Sequence, residues 1–186
     1  KVDGRPQFLK TYDGAHAGVR LEDEALILGQ LYGEIVNARL LVDAGAQAWL
    51  AMNVLEHVEP PPAPPAIYRF LGDLRAGLAG IAPRLSSRPN CNVSTLLATA
   101  RDATEFLVAA NQIDCGLAKR INGLLAHLER ELPSLETTLC HGDFGPRNLM
   151  AHRRAQVAID WEDLHPGVVD YDYLYWLTFF RNRIYY

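Results

Sequence analysis

Residues 139–163, LCHGDFGPRNLMAHRRAQVAIDWED, constrain the fold more than any other stretch. Two short strand-forming runs, Leu149 to Ala151 and Val157 to Ile159, flank the polar segment His152 to Gln156, which is the pattern of an antiparallel hairpin with an exposed turn. In such a hairpin the residue before the first strand and the residue after the second emerge at the same end. Those residues are Asn148 and Asp160. Asp143 lies on the loop just upstream, so the chain must hold an amide and two carboxylates close together, where unpaired carboxylates repel one another.

A positive centre between them resolves that repulsion. An amide oxygen and a carboxylate are hard oxygen donors, the kind that hold a magnesium ion by one or two contacts while waters and phosphate oxygens complete its shell. A carboxylate at Asp143, beside such a site, could accept the proton of a hydroxyl as it attacks a phosphorus atom.

The rest of the chain divides around a proline tract. KVDGRPQFLKTY predicts a hairpin with Asp3-Gly4 at the turn and with Phe8, Leu9, Lys10 and Tyr12 in a strand-favouring run. Leu21, Ala25, Leu28, Tyr32 and Ile35 then recur at helical spacing, with Glu24 on the stripe and Glu22 and Asp23 off it. An inward glutamate needs a cation, and Lys10 is the nearest one; a partly exposed glutamate at the stripe's margin is the alternative. ARLLVDAGAQAWLAMNVLEHV predicts a second hairpin around Ala44-Gly45.

EPPPAPPA, residues 59–66, predicts a stiff connector that continues neither strand nor helix, with a ligand for a proline-reading module as the lesser alternative. Beyond it the pattern is helical. Phe70, Leu71, Leu74 and Leu78 form one stripe, Ser94 is a candidate cap, and Asp114 opens a helix with Leu117, Ile121, Leu124 and Leu128 on its core face, ending at Pro133. The expected organisation is strands and one helix over 1–58, a connector over 59–66, and a helical part carrying the hairpin over 67–186.

Composition narrows the function classes. Hydrophobic residues make up 49% of the chain, ample for a core, while a net charge of -4 and a pI near 5.8 argue against nucleic acid or an anionic membrane as partner. Charged or amide residues interrupt every long apolar stretch, so no membrane span is predicted. Cys91, Cys115 and Cys140 are odd in number and lack CxxC spacing, which suggests a reducing compartment. With no signal-peptide pattern at the N-terminus, a cytoplasmic location is expected. The absence of an initial Met and the open apolar pattern at WLTFFRNRIYY suggest a chain cut at both ends.

HGDFGPRN followed by IDWED and then HPGVVDYDYL resembles the catalytic loop and metal-binding segment of the aminoglycoside phosphotransferase and choline kinase-like family. The resemblance spans nearly the whole chain and is sharpest over residues 139–172. It implies an α+β, two-lobed protein-kinase-like fold, with a small β-rich N-lobe, a mainly helical C-lobe, ATP or GTP in the cleft, and two Mg2+ ions at the phosphates. By position, Asp143 is the implied catalytic base, Asn148 and Asp160 the metal ligands, Lys10 the phosphate-contacting lysine and Glu24 its partner. Asn53, Val54 and Leu55 fall where the family's interlobe connection faces adenine. Gly167 and Asp172 map onto residues that brace the loop.

The implied reaction transfers the nucleotide's terminal phosphoryl group to a hydroxyl of a small acceptor: an aminoglycoside, macrolide, choline, sugar or amino-alcohol. No glycine-rich loop precedes Lys10; Gly14 and Gly18 follow it. That departure sustains a second reading, a nucleotide-binding scaffold without catalysis. A third reading, a zinc hydrolase using His141, Asp143, His152 and His165, lacks clustered histidine spacing. His141 reads better as a scaffold residue. Arg147 and Glu162 are possible substrate contacts or simply solvated charges, and the aromatic residues from Tyr171 to Phe180 read as core packing.

Overall fold

The computed structural model describes residues 6–12, 17–85, 93–153 and 155–182. The expected turn at Asp3-Gly4 lies outside them. Strand β1 (Gln7–Lys10) pairs antiparallel with β3 (Ala48–Asn53), which pairs on its other side with β2 (Arg39–Val42), giving the order β1-β3-β2. Lys10 stands opposite Leu50 in that register. The β2–β3 hairpin closes as expected, because the Asp43 carboxylate accepts the N–H groups of Gly45 at 2.8 Å and Gln47 at 3.0 Å.

Helix α1 (Ala17–Tyr32) lies between this sheet and helix α2 (Pro64–Ile81). Leu21, Ile27 and Leu28 are fully buried, and Glu24 is buried with them. Asp23, expected off the stripe, is buried too. Neighbours on two sides cover a wider arc of α1 than one apolar stripe marks. Ile35 falls beyond the helix, in a 3-10 turn over Gly33–Ile35.

Strand β3 leads directly into β4 (Glu56–His57), which joins a different sheet by pairing with β6 (Leu149–His152). The proline tract does not exclude helix, as α2 begins inside it with prolines in its first turn. There a missing N–H costs nothing and the fixed φ is already helical. Ile67, Leu71, Leu74, Leu78 and Ile81 form the buried face.

Helices α3 (Val93–Ala109) and α4 (Cys115–Glu131) pack on each other and are cross-linked by Arg101 and Glu129 at 2.6 Å. Ser94 lies one residue inside α3, whereas Asp114 caps α4 by accepting the Leu117 N–H at 2.7 Å. The core face of α4 is rotated from the expected one: Leu117, Leu124 and Leu128 are exposed, while Ala118 and Leu125 are buried with Ile121 half-buried between them. Periodicity locates an apolar stripe but not the element that covers it.

Strand β5 (Thr137–Cys140) pairs antiparallel with β8 (His165–Val168), and β6 with β7 (Ala155–Ala158). His152 pairs with Ala155, so the β6–β7 turn is shorter than His152 to Gln156. Helix α5 (Tyr171–Asn182) follows β8. One apolar cluster runs from Leu21, Leu28 and Leu50 through Ile67 and Leu71 to Phe144, Leu149, Trp161 and Trp176, joining the sheet-bearing lobe to the helical one. The fold is the expected α+β, two-lobed kinase-like arrangement. No helix among the described residues is long and apolar enough to cross a membrane.

Candidate active site

The loop between β5 and β6 is held by close backbone approach. Gly142 has φ +92°, and a Cβ there would lie 2.1 Å from the Asp163 carbonyl oxygen. Only glycine fits. A Cβ on Gly167 would lie 2.8 Å from Cys140 Sγ, so the β5–β8 pairing also depends on a missing side chain. From α5, Asp172 accepts the N–H groups of His141 at 2.8 Å and Gly142 at 3.0 Å.

His141 is fully buried between Phe144 and Trp161, and its Nε2 donates to the Ile159 carbonyl at 2.8 Å. Burial holds its pKa below the ordinary histidine value, so the ring is neutral near pH 7. It ties the loop to the end of β7.

Within the loop, the Asn148 amide nitrogen donates to the Asp143 carbonyl at 2.8 Å and to Asp143 Oδ2 at 3.0 Å. Its amide oxygen is therefore the atom left for a ligand. The Ile159 N–H bonds the Asn148 carbonyl at 3.0 Å, and Asp160 follows in the left-handed region at φ +69°. The hairpin thus brings 148 and 160 to one open end.

Across the cleft, Lys10 Nζ bonds Glu24 Oε2 at 2.9 Å and Oε1 at 3.3 Å, and also contacts Asp160 Oδ1. Burial works to lower the Lys10 pKa, but the Glu24 and Asp160 carboxylates outweigh it and hold the ammonium above its usual value. Glu24 Oε1 accepts the Asp160 N–H at 3.1 Å. The Tyr12 hydroxyl donates to Glu24 Oε2 at 2.9 Å, with its ring 4.6 Å from Lys10 Nζ. Tyr32, the last residue of α1, accepts the Ala158 N–H at 2.9 Å.

Asn53, Val54 and Leu55 line a small, mainly apolar cavity of about 80 Å³ with Phe8, Met52, Met150 and Ile159. The Asn53 amide is engaged behind it, donating to the Ile35 carbonyl at 3.0 Å. A larger hollow of about 660 Å³, lined in part by Glu34, His152 and Arg153, touches none of the clustered acids. Arg147 is exposed on the 3-10 turn before β6. Glu162 is exposed, and its carboxyl is pushed up by partial burial and by the Asp160 charge.

Three tyrosines at the site were not singled out in the sequence as site residues: Tyr12, Tyr32 and Tyr175. The Tyr175 hydroxyl, expected to be core packing, donates to Asp143 Oδ1 at 2.6 Å. The available signal was its spacing of three from Asp172, which places both on one helix face.

The donor set suits magnesium. Among the described residues no three His, Cys, Asp or Glu side chains form a group that could hold a metal by themselves. One carboxylate and one amide oxygen at a strand end match an ion that keeps most of its shell for water and phosphate.

A sheet lysine paired with a buried glutamate of the adjoining helix, facing a helical lobe whose hairpin ends in Asn and Asp, is the arrangement of the protein-kinase-like class of phosphotransferases. Residues 2–184 match the model of the phosphotransferase enzyme family (APH), and the chain belongs to that family. It is accordingly a phosphotransferase with an alcohol group as acceptor.

Solved structures show the same fold. The GDP complex of a point mutant of aminoglycoside 2'-phosphotransferase-IIIa has a TM-score of 0.65 at 16% identity, covering 95% of this chain and 72% of its own. The wild-type GDP complex gives 0.64 at 15%, covering 95% and 73%. Choline kinase LicA from Streptococcus pneumoniae gives 0.52 at 16%, covering 99% and 65%. No curated protein matches the sequence significantly.

Proposed function

We propose that the chain transfers the terminal phosphoryl group of ATP or GTP to a hydroxyl of a small molecule, with Mg2+, in the cytoplasm. The observation that carries this reading is the three-way contact of Lys10, Glu24 and Asp160, which sets a lysine from the sheet against a candidate metal ligand from the hairpin. The solved neighbours include a GDP complex and a choline kinase, which supports a nucleotide and a small hydroxylated acceptor.

In this reading the base of the nucleotide lies against the cavity at Asn53, Val54 and Leu55, and Lys10 balances charge on its phosphates. Asn148 and Asp160 would hold magnesium, which would supply charge neutralisation at the phosphates. Asp143 takes the acceptor's hydroxyl proton as its oxygen bonds the terminal phosphorus and the bond to the nucleoside diphosphate breaks. His141, Gly167 and Asp172 hold the loop in shape, while Arg147 and Glu162, both exposed, are read as contacts to the acceptor.

The test uses the full-length protein with ATP or GTP, magnesium and a panel of aminoglycosides, macrolides, choline and sugars. Asp143→Ala is expected to lower turnover by at least about a hundredfold with nucleotide affinity retained. Undiminished turnover in that variant would refute the assignment of the base. Nucleotide binding without turnover by the unaltered protein favours the scaffold reading.

A further inference from the structure

The first two turns of α5 grip the loop twice. Asp172 takes the backbone N–H groups of His141 and Gly142, and Tyr175, on the same helix face, donates its hydroxyl to Asp143 Oδ1. The other carboxylate oxygen, Oδ2, accepts the Asn148 amide. An aspartate's χ2 is a broad torsion, and separate donors on its two oxygens fix the plane of the carboxylate.

The Tyr175 ring is itself held in place. It stacks on Tyr171 at 6.2 Å and packs against Phe179 at 5.2 Å, the same Phe179 that lies beneath Gly145 of the loop. Burial and the Asp143 carboxylate push the phenol up to about 12, so near neutral pH it remains a donor.

We propose that Tyr175 is a positioning residue for Asp143, using its hydroxyl to set the carboxylate plane so that the remaining lone pairs meet the incoming acceptor hydroxyl. This rests on the reading of Asp143 as the base. The phenol keeps its proton throughout; the acceptor's proton ends on Asp143.

The experiment compares Tyr175→Phe, Asp143→Ala and the double variant in the full-length protein, with magnesium and ATP or GTP. Kanamycin, choline and water serve as acceptor probes. Tyr175→Phe is expected to lower kcat about tenfold, as for loss of one hydrogen bond to a charged group. KM for nucleotide and acceptor should stay within about twofold and the melting midpoint within about 3 °C, since the ring stack is retained. In the Asp143→Ala background the second change should cost no further rate.

An unchanged or increased kcat overturns the proposal, as does a loss that adds to that of Asp143→Ala. A fall in kcat accompanied by a raised KM and a lowered melting midpoint assigns Tyr175 a merely structural role and also overturns it. Turnover absent from the unaltered protein, or retained in Asp143→Ala, defeats the reading of the base and this inference with it. Turnover that depends on Asp143 but is untouched by Tyr175→Phe defeats this inference alone.

Discussion

The segment from Cys140 to Asp172 and the helix pair α3–α4 solve the same problem differently. In the first, backbone lies against backbone and several polar groups are matched to particular partners: Asp172 to two amides, His141 Nε2 to a carbonyl, Asn148 to Asp143. In the second, regular helices supply their own hydrogen bonds, and an apolar row, Leu117, Leu124 and Leu128, faces outward. Shape in the site segment depends on single atoms, whereas shape in the helix pair depends on repeated weak preferences. The same kind of substitution should therefore act with different size, and even different sign, in the two regions.

Glycine gives the largest contrast. Gly142→Ala forces a Cβ into the Asp163 backbone at a left-handed φ, and should destabilise the protein by about 3 kcal/mol and abolish turnover. Gly123→Ala, in α4 with nothing near its missing Cβ, should stabilise by about 0.5–1 kcal/mol. Urea unfolding of both variants checks the change of sign.

Aspartate comes next. Asp172→Ala leaves two amides without their acceptor and should cost about 2–3 kcal/mol, while Asp114→Ala removes only the cap of α4 and should cost about 1 kcal/mol. Thermal melts read the ratio. Equal losses would mean that the loop is held by something other than α5.

The third contrast is in pH. His141 has a folded pKa held below its unfolded value by burial, so the unfolded chain binds the extra proton first. Stability should be intact above the unfolded value of about 6.5 and decline below it, by up to about 1.4 kcal/mol per pH unit. Unfolding free energies between pH 7 and 5 should lose part of that slope in His141→Gln. The smallest effect is expected at Leu124→Ser, within about 0.5 kcal/mol because the side chain is already in solvent.

How much of this was legible in the sequence follows from the same contrast. The hairpin that delivers Asn148 and Asp160 to one end follows from short-range alternation, and Lys10 beside Glu24 follows from a charge on an apolar stripe. The two-lobed fold was implied by the family resemblance that HGDFGPRN and IDWED carry. Tyr175 escaped because an aromatic on an apolar helix has the same pattern whether its hydroxyl meets water or a carboxylate. The burial of Asp23 and the outward face of α4 escaped because they depend on which neighbours cover a helix, a long-range fact that periodicity does not encode. The start of α2 at Pro64 was obscured by reading proline as a breaker, when in a first turn it is a starter.

The bond between the Ala158 N–H and the Tyr32 hydroxyl sets how the two halves can part. Helix α1 is pinned at its C-terminal end by that bond and along its length by Glu24, which holds both Lys10 and the Asp160 amide. A rod fastened at two points cannot swing outward alone without stranding a backbone donor. Any outward movement of α1 must therefore carry the end of β7 with it or break both fastenings at once.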